Sequence, residues 1–196
     1  RSTAYRFMFD PAAEPVFTDI AAFRLAGLAG GAELADLVFT PSTGDFAYAA
    51  NNTPDSIVVF DTTLAVSEVR SADGSLGLVS APRFTFLSAT PLSGRPSGLA
   101  YLARAAGDVL LAAMFDSNEI FVLAANGQDV TPITRIDNVG VGPTSMKVLD
   151  TQTVIVTSFF DHAASLVTVP EVDPFGAAQT SYLRNPETGV ADDQRR

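Results

Sequence analysis

The sequence predicts an all-β fold of about three and a half four-stranded antiparallel blades, that is, a partial β-propeller. Three segments share one pattern: LADLVFTPSTGDFAYAANNTPDSIVVFD at 34–61, PSGLAYLARAAGDVLLAAMFDSNEIFVL at 96–123 and PTSMKVLDTQTVIVTSFFDHAASLVTV at 143–169. Each reads as an apolar run, a polar turn, a second apolar run, a polar loop and a third apolar run. A pattern that repeats every ~40–50 residues without helical periodicity is typical of propeller blades.

The spacing of the copies is uneven. Ile57, Ile120 and Leu166 are equivalent positions, separated by 63 and 46 residues. The shorter spacing is an ordinary blade length, whereas the longer one includes about one additional hairpin. The excess lies at 64–82, and we predict a surface excursion between blade strands at 67–82.

The second run of each copy predicts a central strand. Residues 109–113 and 154–157 are apolar at nearly every position, as in strands that are buried on both faces. A β-sandwich with three similar hairpins is the alternative, but sandwiches rarely repeat their own sequence. Gly44-Asp45 and Gly107-Asp108 precede the second run in the first two copies and favour tight hairpin turns. The third copy, with Asp150 to Thr153, lacks that glycine.

The blade order follows from these copies. The runs YRFMFD at 5–10 and IAAFRL at 20–25 predict the outer two strands of a half blade at 1–33. Blades are expected at about 34–94, 95–140 and 141–184, with fourth strands near 83–87, 131–136 and 179–183, followed by a polar tail at 185–196. Ring closure usually takes 4–8 blades. We therefore expect a protein partner, either a second copy or the remaining blades of a parent propeller.

Composition excludes several classes of function. The 196 residues suit one domain, and a net charge of −10 argues against nucleic acid and anionic membrane surfaces. No apolar run reaches the ~18 residues of a membrane-spanning helix, so we expect no membrane insertion. The absence of cysteine excludes disulfides, cysteine-based zinc sites and thiol catalysis. An acidic, cysteine-free β-rich chain is expected at an extracellular, cell-surface or periplasmic location.

The repeats resemble a known family. FAYAANN followed by DSIVVFD at 46–61, RPSGLAY at 95–101 and, more loosely, GPTSMKV at 142–148 are similar to YVTN-type β-propeller repeats. The resemblance covers about 34–170 and departs from the family at the insertion 64–82 and at Thr168-Val-Pro170. It implies a blade fold and no catalytic residue, because the motif is structural. Members include surface-layer and secreted proteins, lactonase-like enzymes and dehydrogenase subunits.

The loops between second and third strands hold the candidate site residues. His162 is the sole histidine and follows Asp161, a pairing that could act as a general base, although a solvated loop is the simpler interpretation. Oxygen donors for Ca²⁺ would be Asp55, Asp116, Asn118 and Glu119. Turn geometry also explains Asn and Asp at such positions, so we expect no cofactor, with Ca²⁺ as the alternative.

Three functions fit the sequence. The leading hypothesis is a non-enzymatic scaffold or protein-interaction module, because no catalytic motif is present. The alternative is a lactonase-like or lyase-like hydrolase with a central-channel site that is completed by sequence outside this chain. The third is a subunit of a redox assembly, for which the sequence offers no haem or copper ligands.

Overall fold

The computed structural model describes residues 3–9, 12, 17–24, 32–41, 43–70, 74, 76–82, 84–161, 163–171 and 179–183. Within these residues every element is a β-strand and all pairings are antiparallel, as the sequence predicts. No helix long and apolar enough to cross a membrane occurs in the same residues.

The strands form a series of separate sheets. Strand β1 (Thr3–Phe9) pairs with β2 (Phe17–Arg24). The first blade contains β3 (Leu34–Phe39), β4 (Phe46–Asn52), β5 (Asp55–Asp61) and, after a hairpin of β6 (Leu64–Arg70) and β7 (Leu76–Pro82), β8 (Thr85–Pro91). The second blade contains β9 (Pro96–Leu102), β10 (Val109–Met114), β11 (Glu119–Asn126) and β12 (Asp129–Ile136). The third contains β13 (Pro143–Val148), β14 (Thr153–Ser158), β15 (Ala163–Thr168) and β16 (Gln179–Leu183).

The excess sequence of the first copy forms the hairpin of β6 and β7, which is a two-stranded sheet of its own. Strand β5 pairs directly with β8, from Ser56 opposite Pro91 to Asp61 opposite Thr85. The fourth strand therefore extends beyond the predicted 83–87, because β8 follows β5 along almost its whole length.

The first strand of each blade is its inner strand. The inner strands β3, β9 and β13 contact one another, with β9 in the middle. Two side chains join them through backbone groups: the Leu99 N–H donates to Asp36 Oδ2 at 2.8 Å, and Ser97 Oγ donates to the Pro143 carbonyl at 2.5 Å. These bonds fix the relative positions of the three inner strands, which line the propeller axis.

The core consists of three clusters, one on each side of the second blade and one on the opposite face of the first blade, where Phe60 packs with Phe84. Tyr48 and Ile57 pack with Leu110 between the first and second blades. Leu111 packs with Val156 between the second and third. All six residues of β10 are buried, which confirms the prediction for 109–113.

The prediction for 154–157 is only partly correct. Val154 and Val156 are buried, whereas Ile155 is half-buried and Thr157 is exposed. Side chains alternate between the two faces of a strand. Val154 and Val156 face the second blade, and no described blade covers the opposite face of the third.

At the lower end of the blades, where the inner strands finish, polar contacts join neighbouring blades. The rings of Tyr48 and Tyr101 stack with centroids 5.5 Å apart. Tyr48 Oη donates to the Gly127 carbonyl at 2.8 Å, and Tyr101 Oη donates to Asp108 Oδ2 at 2.6 Å. Burial raises the pKa of Tyr48 to about 12. Burial and the bond to Asp108 also raise the pKa of Tyr101.

The turns at the lower end explain why the first two copies carry a glycine that the third copy lacks. Gly44 and Gly107 have φ values of 67° and 122°, which favour glycine. In the third copy Asp150 Oδ1 instead accepts hydrogen bonds from the N–H groups of Gln152 at 2.8 Å and Thr153 at 2.7 Å. These bonds hold the pKa of the Asp150 carboxyl below its usual value. A carboxylate thus stabilises the turn that a glycine permits in the other copies.

Candidate functional site at the upper end of the blades

The loops that hold the candidate residues lie at the upper end of the blades, where the inner strands begin. Pro96 at the start of β9 stands opposite Met114 at the end of β10, and Pro143 stands opposite Ser158. Leu34 stands opposite Asn51 in the first blade. The loops after β4, β10 and β14 therefore share one end with the connections that lead into the inner strands.

In the first blade the loop is built around Asn51. Asn51 is buried, its Oδ1 accepts the Glu33 N–H at 3.1 Å, and its Nδ2 donates to the Pro54 carbonyl at 2.8 Å. Asp55, a candidate calcium ligand, is the first residue of β5 and is half-buried opposite Asn52. The Asn51 side chain is thus engaged by backbone groups of its own loop and of the connection into β3.

Asn118 and Asp161 converge on the connection that leads into β13. Asn118 Oδ1 accepts the Gly142 N–H at 2.9 Å, and Asp161 Oδ2 accepts the Val141 N–H at 2.6 Å. The structure therefore brings together two of the predicted residues from different blades. One oxygen of each side chain binds backbone N–H, so both residues position this connection.

The other candidates of the second loop are arranged differently. Glu119 Oε2 lies 3.7 Å from Arg135 Nη1, and the Arg135 guanidinium lies over the Phe121 ring at 4.5 Å. Asp116 is exposed at the tip of the same loop. The side chain of Glu119 is therefore directed to the second blade's own outer strand β12, whereas Asp116 faces solvent at the upper end.

The catalytic and metal predictions remain open. His162 lies outside the described residues, so its pairing with Asp161 stays a prediction. In the described part of the chain, no three His, Asp or Glu side chains stand close enough to hold a metal ion. Calcium binding by Asp55, Asp116, Asn118 and Glu119 likewise stays a prediction.

An aromatic cluster at this end was missed by the sequence reasoning. The ring centroid of Phe115 lies 6.4 Å from that of Phe159 and 5.7 Å from that of Phe160, and the last two rings meet edge to face at 5.1 Å. Phe159 and Phe160 are 61% and 58% exposed. The available signal was a Phe-Asp pair after both β10 and β14, where turn residues are expected.

A cation lies beside this cluster. The Arg95 guanidinium is 5.6 Å from the centroid of the Phe115 ring, and the Arg95 carbonyl accepts the Phe115 N–H at 3.0 Å. Arg95 directly precedes β9, the middle inner strand. The upper end therefore presents a cation, the carboxylates of Asp116 and Asp161, and exposed rings beside the beginnings of two inner strands.

Comparison with known proteins identifies the type of fold. No family model matches the sequence, and no curated protein matches it. A candidate 6-phosphogluconolactonase from Bacteroides fragilis matches 91% of this chain and 47% of its own length, at 14% identity and a TM-score of 0.62. The chain therefore spans less than half of that protein.

Two further solved structures are similar. A functionally unknown protein from Desulfotomaculum acetoxidans and a periplasmic gluconolactonase from Pseudomonas aeruginosa each match 93% of this chain and 62% of their own length, with TM-scores of 0.47. Their identities to this chain are 15% and 12%.

The similarity to the Bacteroides fragilis protein corrects one expectation from the sequence. The prediction of a non-enzymatic scaffold is wrong, because the structure that shares this fold at a TM-score of 0.62 bears the name of a lactonase. The chain itself is an all-β, partial β-propeller of the type found in 6-phosphogluconolactonase-like proteins.

Proposed function

We propose that this chain forms part of a lactonase-like hydrolase whose site lies at the upper end, beside the beginnings of the inner strands. The observation that carries the proposal is the fold shared with the Bacteroides fragilis protein over 91% of this chain. The sequence repeats support the finer assignment to YVTN-type propellers. Because the chain spans 47% of that protein, further sequence would complete the channel wall.

The groups at the upper end suit this chemistry. In lactone hydrolysis, water attacks the ring carbonyl, the ring C–O bond breaks, and a hydroxy acid is released. A carboxylate that accepts a proton from the attacking water accelerates such a step by about 10²–10⁴-fold. We assign this role to Asp116 or Asp161, and we assign stabilisation of the developing oxyanion to Arg95.

Asp161 is well positioned for such a role. Its Oδ2 is held at 2.6 Å by the Val141 N–H, which fixes the orientation of the carboxylate. Asp116 is exposed on the neighbouring loop, and Arg95 is held over Phe115. His162 follows Asp161 directly and is the partner that the sequence suggests for it. A location outside the cytoplasm is consistent with the cysteine-free composition and is part of the proposal.

Hydrolysis of a lactone panel by the whole protein that carries this sequence tests the proposal. The acid released would be followed by pH-stat titration. Asp116→Asn and Asp161→Asn keep the shape of the side chain and remove its charge, and Arg95→Gln shortens the side chain and removes its charge. The amide oxygen introduced by Asp161→Asn can still accept the Val141 N–H, so the loop is preserved. We expect at least one variant to lose about 10²-fold in kcat/KM.

Asp129→Asn is the matched control, because Asp129 is an exposed carboxylate at the lower end. It is expected to retain full activity. If the folded protein hydrolyses no lactone faster than buffer, or if all three upper-end variants match the wild type, the assignment is wrong.

A further inference from the structure

We propose that the substrate of this site is a neutral lactone with an alkyl or aryl substituent, and that the substituent lies on an apolar platform. The platform consists of Phe115, Val141, Phe159 and Phe160. This inference rests on the proposed function and adds the class of substrate.

The first argument is exposure. Phe159, Phe160 and Val141 are 61%, 58% and 45% exposed, and they adjoin the half-buried Phe115. Contiguous apolar surface on a soluble protein marks an interaction or ligand site. Aromatic rings bury a large apolar area on binding and offer flat faces to a ligand ring.

The second argument is rigidity. The N–H groups of Phe159 and Phe160 donate to the carbonyls of Gly142 at 2.8 Å and Val141 at 3.1 Å. The N–H groups of Val141 and Gly142 are held in turn by Asp161 and Asn118. These four hydrogen bonds tie the connection into β13 to the loops after β14 and β10. A surface that is ordered before binding loses little conformational entropy when a ligand arrives.

Gly142 shows how closely the rings are seated. Its φ is 66°, and a Cβ there would stand 2.8 Å from the Phe160 ring and 3.3 Å from the Phe115 ring. The two rings therefore rest on the backbone of Gly142. No side chain could occupy this position without displacing them.

The size of the platform favours a small molecule over a protein. A stable protein interface uses about 20–30 residues on each side. The platform has four side chains, and the neighbouring loop positions Asp116, Ser117 and Asp137 are polar and exposed. Four apolar side chains match one ring or one short alkyl chain.

The charges nearby favour a neutral ligand. Among the described residues of the second and third blades, the cations of this end are Arg95, which lies over Phe115, and Arg135, which pairs with Glu119. Asp116 and Asp161 add negative charge beside the platform, and the whole chain carries −10. A phosphorylated lactone would therefore meet mainly repulsion, whereas an alkyl or aryl lactone would not.

A series of δ-lactones with alkyl chains of increasing length tests the inference in the whole protein. We expect KM to fall by up to about fourfold for each methylene that reaches the platform, the factor for burying one CH₂ group. Phe159→Ala and Phe160→Ala should flatten this dependence of KM on chain length. Leu149→Ala, which removes a 55% exposed side chain at the lower end, is the matched control and should change nothing.

Calorimetry with an alkyl δ-lactam, which is not hydrolysed, separates this inference from the proposed function. Binding that is lost in Phe159→Ala supports the platform even if no lactone is hydrolysed. Hydrolysis with a KM that is independent of chain length would support the function and overturn the platform. A preference for a 6-phosphorylated lactone over the alkyl series would overturn it as well.

Discussion

Gly98 of β9 lies against the backbone of Thr144 in β13, so that a Cβ at Gly98 would stand 2.3 Å from the Thr144 carbonyl oxygen. This contact sets how closely the second and third blades approach at the axis. Gly98→Ala should therefore force the two inner strands apart. We expect a loss of about 1–3 kcal/mol in the free energy of unfolding, the usual cost of overpacking.

Denaturant titration of Gly98→Ala measures this loss. Ala105→Ser, an exposed change on the loop after β9, serves as a control and should stay within about 0.5 kcal/mol of the wild type. A Gly98→Ala protein as stable as this control would mean that the inner strands can separate freely.

The contact at Gly98 also shows the limit of what the sequence revealed. The repeated apolar runs specified the strands and their order, because burial on both faces of β10 requires six consecutive apolar residues. The approach of β9 to β13 depends on packing between residues 46 positions apart, from Gly98 to Thr144. A single glycine in an apolar run does not reveal that neighbour.

The candidate site was predicted in part for a similar reason. Asn and Asp in the loops were recognised, and Asn118 and Asp161 do lie together. In the sequence Phe159 and Phe160 follow the apolar residues of β14 after only Thr157 and Ser158, and so they resembled core residues. Only the turn that begins after Ser158 carries them to the surface.

Arg104 joins the second and third blades at the lower end. Its guanidinium donates to the carbonyls of Thr151 at 2.9 Å, Val169 at 2.8 Å and Pro170 at 3.3 Å. Lysine cannot reproduce this planar, forked geometry. We expect Arg104→Lys to lower the free energy of unfolding by about 1.5–3 kcal/mol, the range for hydrogen bonds made by a charged group.

Thermal or denaturant unfolding measures that change. Lys147→Arg, an exposed substitution on β13, is the reverse exchange and should be neutral. Equal stability of wild type and Arg104→Lys would show that water donates hydrogen bonds to the three carbonyls as well as the guanidinium does.

Tyr48 should make unfolding sensitive to alkaline pH. Its pKa is raised to about 12 in the folded protein, from an unfolded value near 10. The folded state thus holds this proton more tightly, and the resulting stability is fully present below pH ~10 and is lost as pH rises towards ~12. Tyr101, whose pKa is also raised, acts in the same direction.

Ultraviolet absorbance of tyrosinate during a pH titration checks this expectation. Part of the tyrosinate absorbance of the four tyrosines should appear only above the pH range in which a free tyrosine ionises, or together with unfolding. Tyr48→Phe should remove part of that late step. The expectation is wrong if all four tyrosines ionise together near the pKa of a free tyrosine.

The hairpin of β6 and β7 should be dispensable for the fold. Strand β5 pairs with β8 along its length, and the hairpin forms a separate two-stranded sheet. Replacing 64–82 with a short Asn-Gly turn would shorten the connection, and closure entropy changes only slowly with loop length. We expect the far-ultraviolet β signal and the cooperative unfolding of the blades to persist, with stability within about 1 kcal/mol of the wild type.

A matched replacement of 115–118, which removes Asn118 and the platform residue Phe115, should instead disrupt the upper end. Insoluble or non-cooperative protein from the first replacement would mean that the hairpin covers apolar surface of a blade.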